Sequence, residues 1–327
     1  MSVFAGFDVR IDPWDTDYGS ELPIDTAEDF PVEDVELEIE VEANKWQPVI
    51  PGSITPPNYL VFVDGVRRIE ARLLIRRGEL LCHGAFGSFA VGAVQLAGGR
   101  ADWGEERVYR IVALGSGERL PEKVRVTSVL TYEPESSAIS DADGPLRRIQ
   151  ERMRQEEERL ARELADAPDT LVIADGPLTF AEQVRGQAVG YVKRLFRMYL
   201  PRTQLGILPQ VPVGGRTPLF ALRSTRRFAR YSWFMRLSAP SGADSPFAGL
   251  VRLEIAESVG AEVAKRVADA TASCLPRLAP KRGRDPRAPQ NLLPIGALEG
   301  ALRRRLGDAR LVRRQIESLV AREITDD

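Results

Sequence analysis

The sequence predicts an α/β protein: a mixed sheet with flanking helices, extended by extra β-strands and closed by a helical C-terminal region. Three observations predict it. Tyr59-Leu-Val-Phe-Val63 and Thr170-Leu-Val-Ile-Ala174 are short, continuous apolar runs of the kind that fills a strand covered on both faces. Between them, residues 145–166 set Leu146, Ile149, Met153, Leu160 and Leu164 on one stripe at helical spacing, with Arg or Glu elsewhere. Beyond residue 258 the pattern is helical almost to the end.

Taken in order, residues 1–50 read as an acidic, Pro-rich arm with one alternating stretch, Val35 to Val41, suited to an edge strand; residues 51–327 read as one domain. The run at Tyr59–Val63 predicts a central strand, followed by strands over Val66–Ile75 and Glu79–Ala90. Val108–Leu114 and Lys123–Tyr132 extend the same sheet as a meander. After the helix and the Thr170–Ala174 strand, Thr179–Leu200 reads as helix closed by Pro201. Three β-like stretches lie between Thr217 and Glu257. Helices are predicted at about 258–274, 294–307 and 309–323, with a loop punctuated by Pro276, Pro280, Pro286 and Pro289 between the first two.

Bulk properties exclude several classes. With 327 residues, 43% of them hydrophobic and 28% charged, the chain can bury a large core. The two cysteines, Cys82 and Cys274, are far apart and lack neighbouring ligand residues, so neither a disulfide framework nor a zinc knuckle is expected, and a reducing cytoplasm fits best. The longest uncharged run, Cys82–Gly99, is broken by glycines and by Ser88 and Gln95, which does not suit a bilayer span. No secretory signal is read at the amino end, and no membrane association is expected. A formal net charge of −2 hides an acidic front and an Arg-rich stretch over residues 281–314; taken singly, either run is first of all solvated surface. No glycine-rich phosphate loop, serine triad or activated cysteine is present, which argues against ATP hydrolysis and nucleophilic catalysis. The one histidine, His83, sits in a glycine-flanked strand and is read as structural.

The chemistry points to carboxylates. Both apolar runs end in Asp-Gly, at Asp64-Gly65 and Asp175-Gly176, and a carboxylate at the end of a buried strand is where open sheets place ligands. Asp-Gly is equally a hairpin signal, a reading that suits Asp64 better than Asp175, which Pro177 and Leu178 follow. Stepping from Met153 to Leu160 and Leu164, the centre of the helical stripe falls on Glu157, so a third carboxylate is predicted to face the sheet unless the helix is rotated. Glu299, at the edge of the stripe formed by Ile295, Leu298, Leu302 and Leu306, is a fourth ligand or a boundary residue in a salt bridge. Acids gathered in this way repel one another unless a divalent ion neutralises them, and hard oxygen ligands suit Mg2+ or Mn2+. Two such ions roughly 3.5–4 Å apart cleave phosphodiesters without a histidine.

A nucleic-acid surface is expected where Arg216, Arg223, Arg226, Arg227, Arg230 and Arg236 interleave with Phe220, Phe228, Tyr231, Trp233 and Phe234: guanidiniums for phosphates, rings for bases of a single strand. The competing reading is an ordinary hairpin with its aromatics in the core. Lys193 is a further phosphate contact near Asp175, or a solvated lysine.

Phe62-Val-Asp-Gly65 with Arg67-Arg68 behind it, the Glu-bearing helix leading into Leu171–Leu178, Gly190-Tyr-Val-Lys193, Trp233–Leu237 and Leu250–Glu254 together resemble the NurA nuclease family in order and spacing, over about residues 58–320. That resemblance implies a ribonuclease-H-like fold and Mn2+- or Mg2+-dependent cleavage of DNA, as a 5'-3' exonuclease and single-strand endonuclease. It also implies a homodimer working with a HerA-type hexameric ATPase in end resection and double-strand break repair. By position, Asp64 and Asp175 are the two metal-binding aspartates and Glu157 the helix glutamate, with Glu158 as runner-up; Arg67 and Arg68 join the DNA contacts. The chain departs from the pattern near its C-terminus, where Pro289–Pro294 leads to no histidine, so that Glu299 or Asp285 substitutes or the site is incomplete. A DNA-binding scaffold that has lost a ligand, and an RNA-directed enzyme, stand as alternatives.

Overall fold

In the computed structural model, the structure describes residues 4, 6–12, 34–52, 54–55, 57–178, 187–224, 227–242, 244–281, 283 and 285–325. The chain runs through β1 (Asp8–Ile11), β2 (Asp34–Glu36), β3 (Tyr59–Arg77), β4 (Leu80–Ala97), β5 (Arg100–Leu114), β6 (Val124–Arg125) and β7 (Thr131–Ser136) before its first long helix, α1 (Gly144–Ala165). There follow β8 (Thr170–Asp175), β9 (Gln187–Val192), the short α2 (Arg202–Leu205), β10 (Phe220–Ser224), β11 (Arg227–Arg236) and β12 (Leu250–Ala256). Helices α3 (Ala261–Cys274), α4 (Leu293–Arg305) and α5 (Ala309–Thr325) complete it.

Among the described residues the strands join one mixed sheet in the order β2-β10-β11-β12-β9-β8-β3-β4-β5-β7-β6, with β1 on the far half of β3. Its centre is an antiparallel meander, β3 with β4 and β4 with β5, continued through α1 into β8 and then β9, each parallel to its neighbour. The chain can make that parallel return only through a crossover, which α1 supplies.

Periodicity assigns the layers. On β3, Val61 and Val63 face α1, where Leu146, Ile149, Met153 and Leu160 cover them. Leu60, Phe62 and Val66 face the opposite way, under α3 and α4, whose Ala264, Val267, Ile295, Leu298 and Leu302 close that side. Each large aliphatic side chain so buried contributes about 1.5–3 kcal/mol. Gly92 on β4 lets α4 come close: a Cβ there would meet Leu302 Cδ2 at 3.0 Å. The last helix, α5, packs Val312, Ile316, Leu319 and Val320 with Leu73, Ile75, Phe86 and Val112 on the far half of the meander.

Several expected boundaries move. No turn forms at Asp64-Gly65, because β3 runs through it without a break, pairing Asp64 with Gly92 and Gly65 with Val91. The reversal comes instead at Gly78 (φ 59°), and the next at Gly98-Gly99 (φ 53° and 79°), a backbone state that matches the twist of a two-residue hairpin. The helix expected over Thr179–Leu200 is corrected as well. Residues 179–186 lie outside those described, and Gln187–Val192 is a strand, held between β8 and β12 where burial and pairing override helix propensity. The alternating stretch Val35–Val41 yields only β2, antiparallel to β10. No helix among the described residues is long and apolar enough to cross a membrane.

Candidate metal centre

Strand alternation decides which acids meet. Asp64 follows Val63 on β3, and Asp175 follows Ala174 on β8; since Val63 pairs with Ala174 and both lie on the α1 side, Asp64 and Asp175 project together toward α4. Helix α4, clamped to the sheet by Ile295, Leu298 and Leu302, turns Glu299 to meet them. Asp64, Asp175 and Glu299 each bring a carboxylate oxygen within 4.8 Å of the others.

Asp64 is the key member. It is 6% exposed, its Oδ1 accepts the Gly65 N–H at 2.8 Å, and its buried Oδ2 has no hydrogen-bond partner among the described residues. Burial, then the charges of Asp175, Glu157 and Glu299, raise its carboxyl well above the ordinary range, with Lys193 opposing. A buried carboxylate oxygen without a donor is costly unless a cation or proton supplies the missing partner.

Two cations of the chain partly answer the acids. Lys193, just beyond β9, donates to Asp175 Oδ2 at 2.7 Å and to Asn291 Oδ1 at 2.8 Å, and stands 4.0 Å from Glu299 Oε1. Burial alone would depress this amine, but Asp175, Asp64 and Glu299 more than offset it and hold the pKa above its usual value. Arg287 grips Glu299 with both Nη1 and Nη2 at 2.7 Å and also reaches Asp285. Asp285 in turn accepts from Asn291 Nδ2 at 2.9 Å and from the Arg287 N–H at 2.8 Å, contacts that pull its carboxyl down to about 2. Tyr191 donates to the Gln290 carbonyl at 2.7 Å and so ties this loop to β9; burial and the nearby Asp175 push its phenol well up.

Of the four acids expected at the site, three meet and Glu157 stands apart. Glu157 is half-buried on α1, outside the three-carboxylate group, and its carboxylate fills the space where a side chain on Gly65 would stand, on the sheet face opposite Asp64. Its charge reaches Asp64, but it is Glu299 that joins the cluster. The buried acid of α1 is Glu156, which accepts from Tyr109 at 2.8 Å, and Glu158 pairs with Arg162. Asp285 stays outside the group and touches Arg287 and Asn291.

The expected DNA contacts need more correction. Arg216 is fully buried, with Nε on Asp269 at 2.6 Å and Nη1 and Nη2 on Glu40 at 2.8 Å each. Trp233 and Tyr231 lie in the core, so neither ring has a free face for a base. Arg230 is buried against Glu254, and Arg236 donates to the carbonyls of Leu208, Val211, Pro246 and Ala248. Arg223 is half-buried and bridges Glu36 and Glu257 at 2.6 and 2.8 Å. The side chain of Arg227 and residue Arg226 lie outside those described. Arg68 caps the C-terminal end of α4 through the Leu306 and Gly307 carbonyls while pairing with Glu70, and Arg67 is half-buried beside it on β3. Arg287 and the bridging amide of Asn291 are not legible in the sequence, because loop residues that fold back onto a site leave no periodic signal.

What the fold and site define is an α/β protein whose central sheet and fourth helix gather three acids from distant stretches of chain into one buried group with an excess of negative charge. Such a group has the donor set of a hard divalent cation site, and the unpartnered Asp64 oxygen fits it. No family model matches the sequence, and no curated protein matches it. A solved structure similar to this chain is the NurA nuclease from Sulfolobus solfataricus, 14% identical over 86% of this chain and 88% of that one, with a TM-score of 0.42. Function is therefore argued from the site.

Proposed function

We propose that the chain is a divalent-metal-dependent nuclease that cleaves DNA. The observation that carries the reading is the meeting of Asp64, Asp175 and Glu299 around a buried carboxylate oxygen that has no donor among the described residues. In this reading the three acids would hold a Mn2+ or Mg2+ ion; a second ion, expected from the sequence, would draw on the substrate phosphate. When bound, such an ion polarises a phosphoryl oxygen and lowers the pKa of a water to make a nucleophile. The chain's own residues set the stage. Lys193 fixes Asp175 and neutralises part of the cluster, and Asn291 and Tyr191 hold the loop beside it.

The motifs that resemble the NurA nucleases, at Asp64-Gly65, at Leu171–Leu178 and at Gly190–Lys193, lie around this one cluster and support a nuclease of that type. The antiparallel meander joined through α1 to two parallel strands supports a ribonuclease-H-like core. The 5'-3' polarity, DNA end resection, a homodimer and a HerA-type ATPase partner belong to the same proposal and rest on the motif resemblance alone. The test is digestion of linear DNA with Mn2+. Asp64→Asn and Asp175→Asn, each with unchanged circular dichroism, are expected to lose at least about a hundredfold in rate, as follows from several kcal/mol of charge stabilisation. Variants that cut as the parent does would reject the site. Matched RNA in the same assay decides between the two sugars.

A second reading, a DNA-binding scaffold without catalysis, has one observation on its side: Lys193 and Arg287 already occupy oxygens of Asp175 and Glu299. Calorimetry with no heat of Mn2+ binding, together with salt-sensitive binding of single strands, would favour it.

A further inference from the structure

The two cations of the site are held differently. Lys193 is deeply placed, its side chain 16% exposed, and is fixed by Asp175 and Asn291. Arg287 stands at the mouth with 45% of its side chain exposed, yet it spends both terminal nitrogens on Glu299, whose side chain is only 10% exposed. Glu299 thus serves two purposes at once: it is one corner of the carboxylate group and the anchor of a guanidinium that faces outward.

We infer that Arg287 is a phosphate-binding latch, held closed by Glu299 and released to the substrate when a divalent cation takes Glu299. This rests on the reading of the acids as a cation site. Three features carry it. The Arg287 fork covers both oxygens of Glu299, so a cation entering the group competes with it for the same lone pairs and repels its charge. Release does not set the guanidinium adrift, because Asp285 holds it through Nε at 3.3 Å and Nη2 at 3.2 Å and accepts the residue's own N–H at 2.8 Å. The loop itself stays pinned, through Asn291 to Lys193 and through the Gln290 carbonyl to Tyr191. A freed guanidinium fork beside a bound cation matches the geometry of a phosphodiester's non-bridging oxygens.

The latch makes two effects of opposite sign, which a residue that merely supports the loop would not. Removing Arg287 takes away the cation's competitor, so the cation binds more tightly; it also takes away the phosphate contact, so the cation no longer improves binding of nucleic acid. Linkage requires cation and strand to strengthen each other by one common factor in the parent.

The experiment uses the full chain. Mn2+ affinity is measured by calorimetry for the parent, Arg287→Ala and Arg287→Lys. Affinity for a labelled phosphorothioate single strand, chosen to resist cleavage, is measured by anisotropy with and without Mn2+. In the parent, Mn2+ is expected to tighten strand binding about fivefold or more. Arg287→Ala is expected to bind Mn2+ about threefold to tenfold more tightly and to lose that gain. Arg287→Lys, which keeps a charge without the fork, should fall between the two. Unchanged or weaker Mn2+ binding by Arg287→Ala, or a retained gain, overturns the latch and leaves the cation site standing. A parent that binds no Mn2+ overturns both.

Discussion

The two halves of the sheet bury charge in opposite ways. Toward the β10–β12 side, Glu254 is fully enclosed, yet its Oε1 accepts the Leu178 N–H at 2.6 Å and its Oε2 meets Arg230 and Arg252 at 3.0 Å each. Arg216, equally enclosed, is answered by Glu40 and Asp269. At the junction of β3, β8 and α4, acids outnumber their partners. Asp64, Asp175 and Glu299 share Lys193 and Arg287, and one oxygen of Asp64 has no donor among the described residues. Both regions are buried and ionic, so burial of charge does not by itself mark a site. A matched set holds strands together, whereas a mismatched one has the donor set that a cation would complete.

That contrast can be broken from either side. The largest expected effect is on the proposed activity: Asp64→Asn and Asp175→Asn are each expected to lose at least about a hundredfold in Mn2+-dependent cleavage of linear DNA with the fold intact. Next comes stability in the matched half. Arg216→Leu leaves Glu40 and Asp269 buried against an apolar chain and is expected to cost about 3–5 kcal/mol in a urea melt. Because the sites share no partners, Mn2+ affinity should stay within about twofold.

The third prediction reverses the sign. In metal-free protein at neutral pH, Asp64→Asn should raise stability by about 1–3 kcal/mol, because it removes a buried carboxyl whose ionisation the fold opposes and whose Oδ2 lacks a donor among the described residues. The parent should show the matching pH dependence. Unfolded, Asp64 ionises near 4, whereas the folded group, lifted by burial and Asp175, ionises only at higher pH. Its contribution is therefore full below the unfolded value and is lost as pH rises through the folded one, and added Mn2+ should restore it at neutral pH. Thermal melts against pH, with and without the ion, check this; a metal-free Asp64→Asn variant less stable than the parent would place Asp64 among the matched charges. The smallest effect belongs to Arg223→Ala. Its pairs with Glu36 and Glu257 are solvent-exposed on the Arg223 side, so denaturant melts should move by no more than about 1 kcal/mol.

Much of the fold was legible because burial on two faces writes itself as unbroken apolar runs. Tyr59–Val63 and Thr170–Ala174 became adjacent parallel strands, the stripe from Leu146 to Leu160 became α1, and α4 and α5 fell within two residues of their expected bounds. Gln187–Val192 carries no strand signal of its own, because its partners, β8 and β12, are supplied by other parts of the chain. The site was half legible for a similar reason. A shared Asp-Gly after each apolar run pointed to Asp64 and Asp175 as neighbours. Helical phase could show that Glu157 and Glu299 lean toward the sheet, but not on which face of it each helix lies. Alternation of Arg with aromatics over residues 216–236 looked like a surface because the acids that neutralise it are far off in sequence, Glu40 lying 176 residues before Arg216.

The most direct test is anomalous diffraction from crystals soaked in Mn2+. The account predicts a manganese peak bounded by carboxylate oxygens of Asp64, Asp175 and Glu299. Manganese found only elsewhere, or none at these three residues in a crystal that diffracts well, would contradict it.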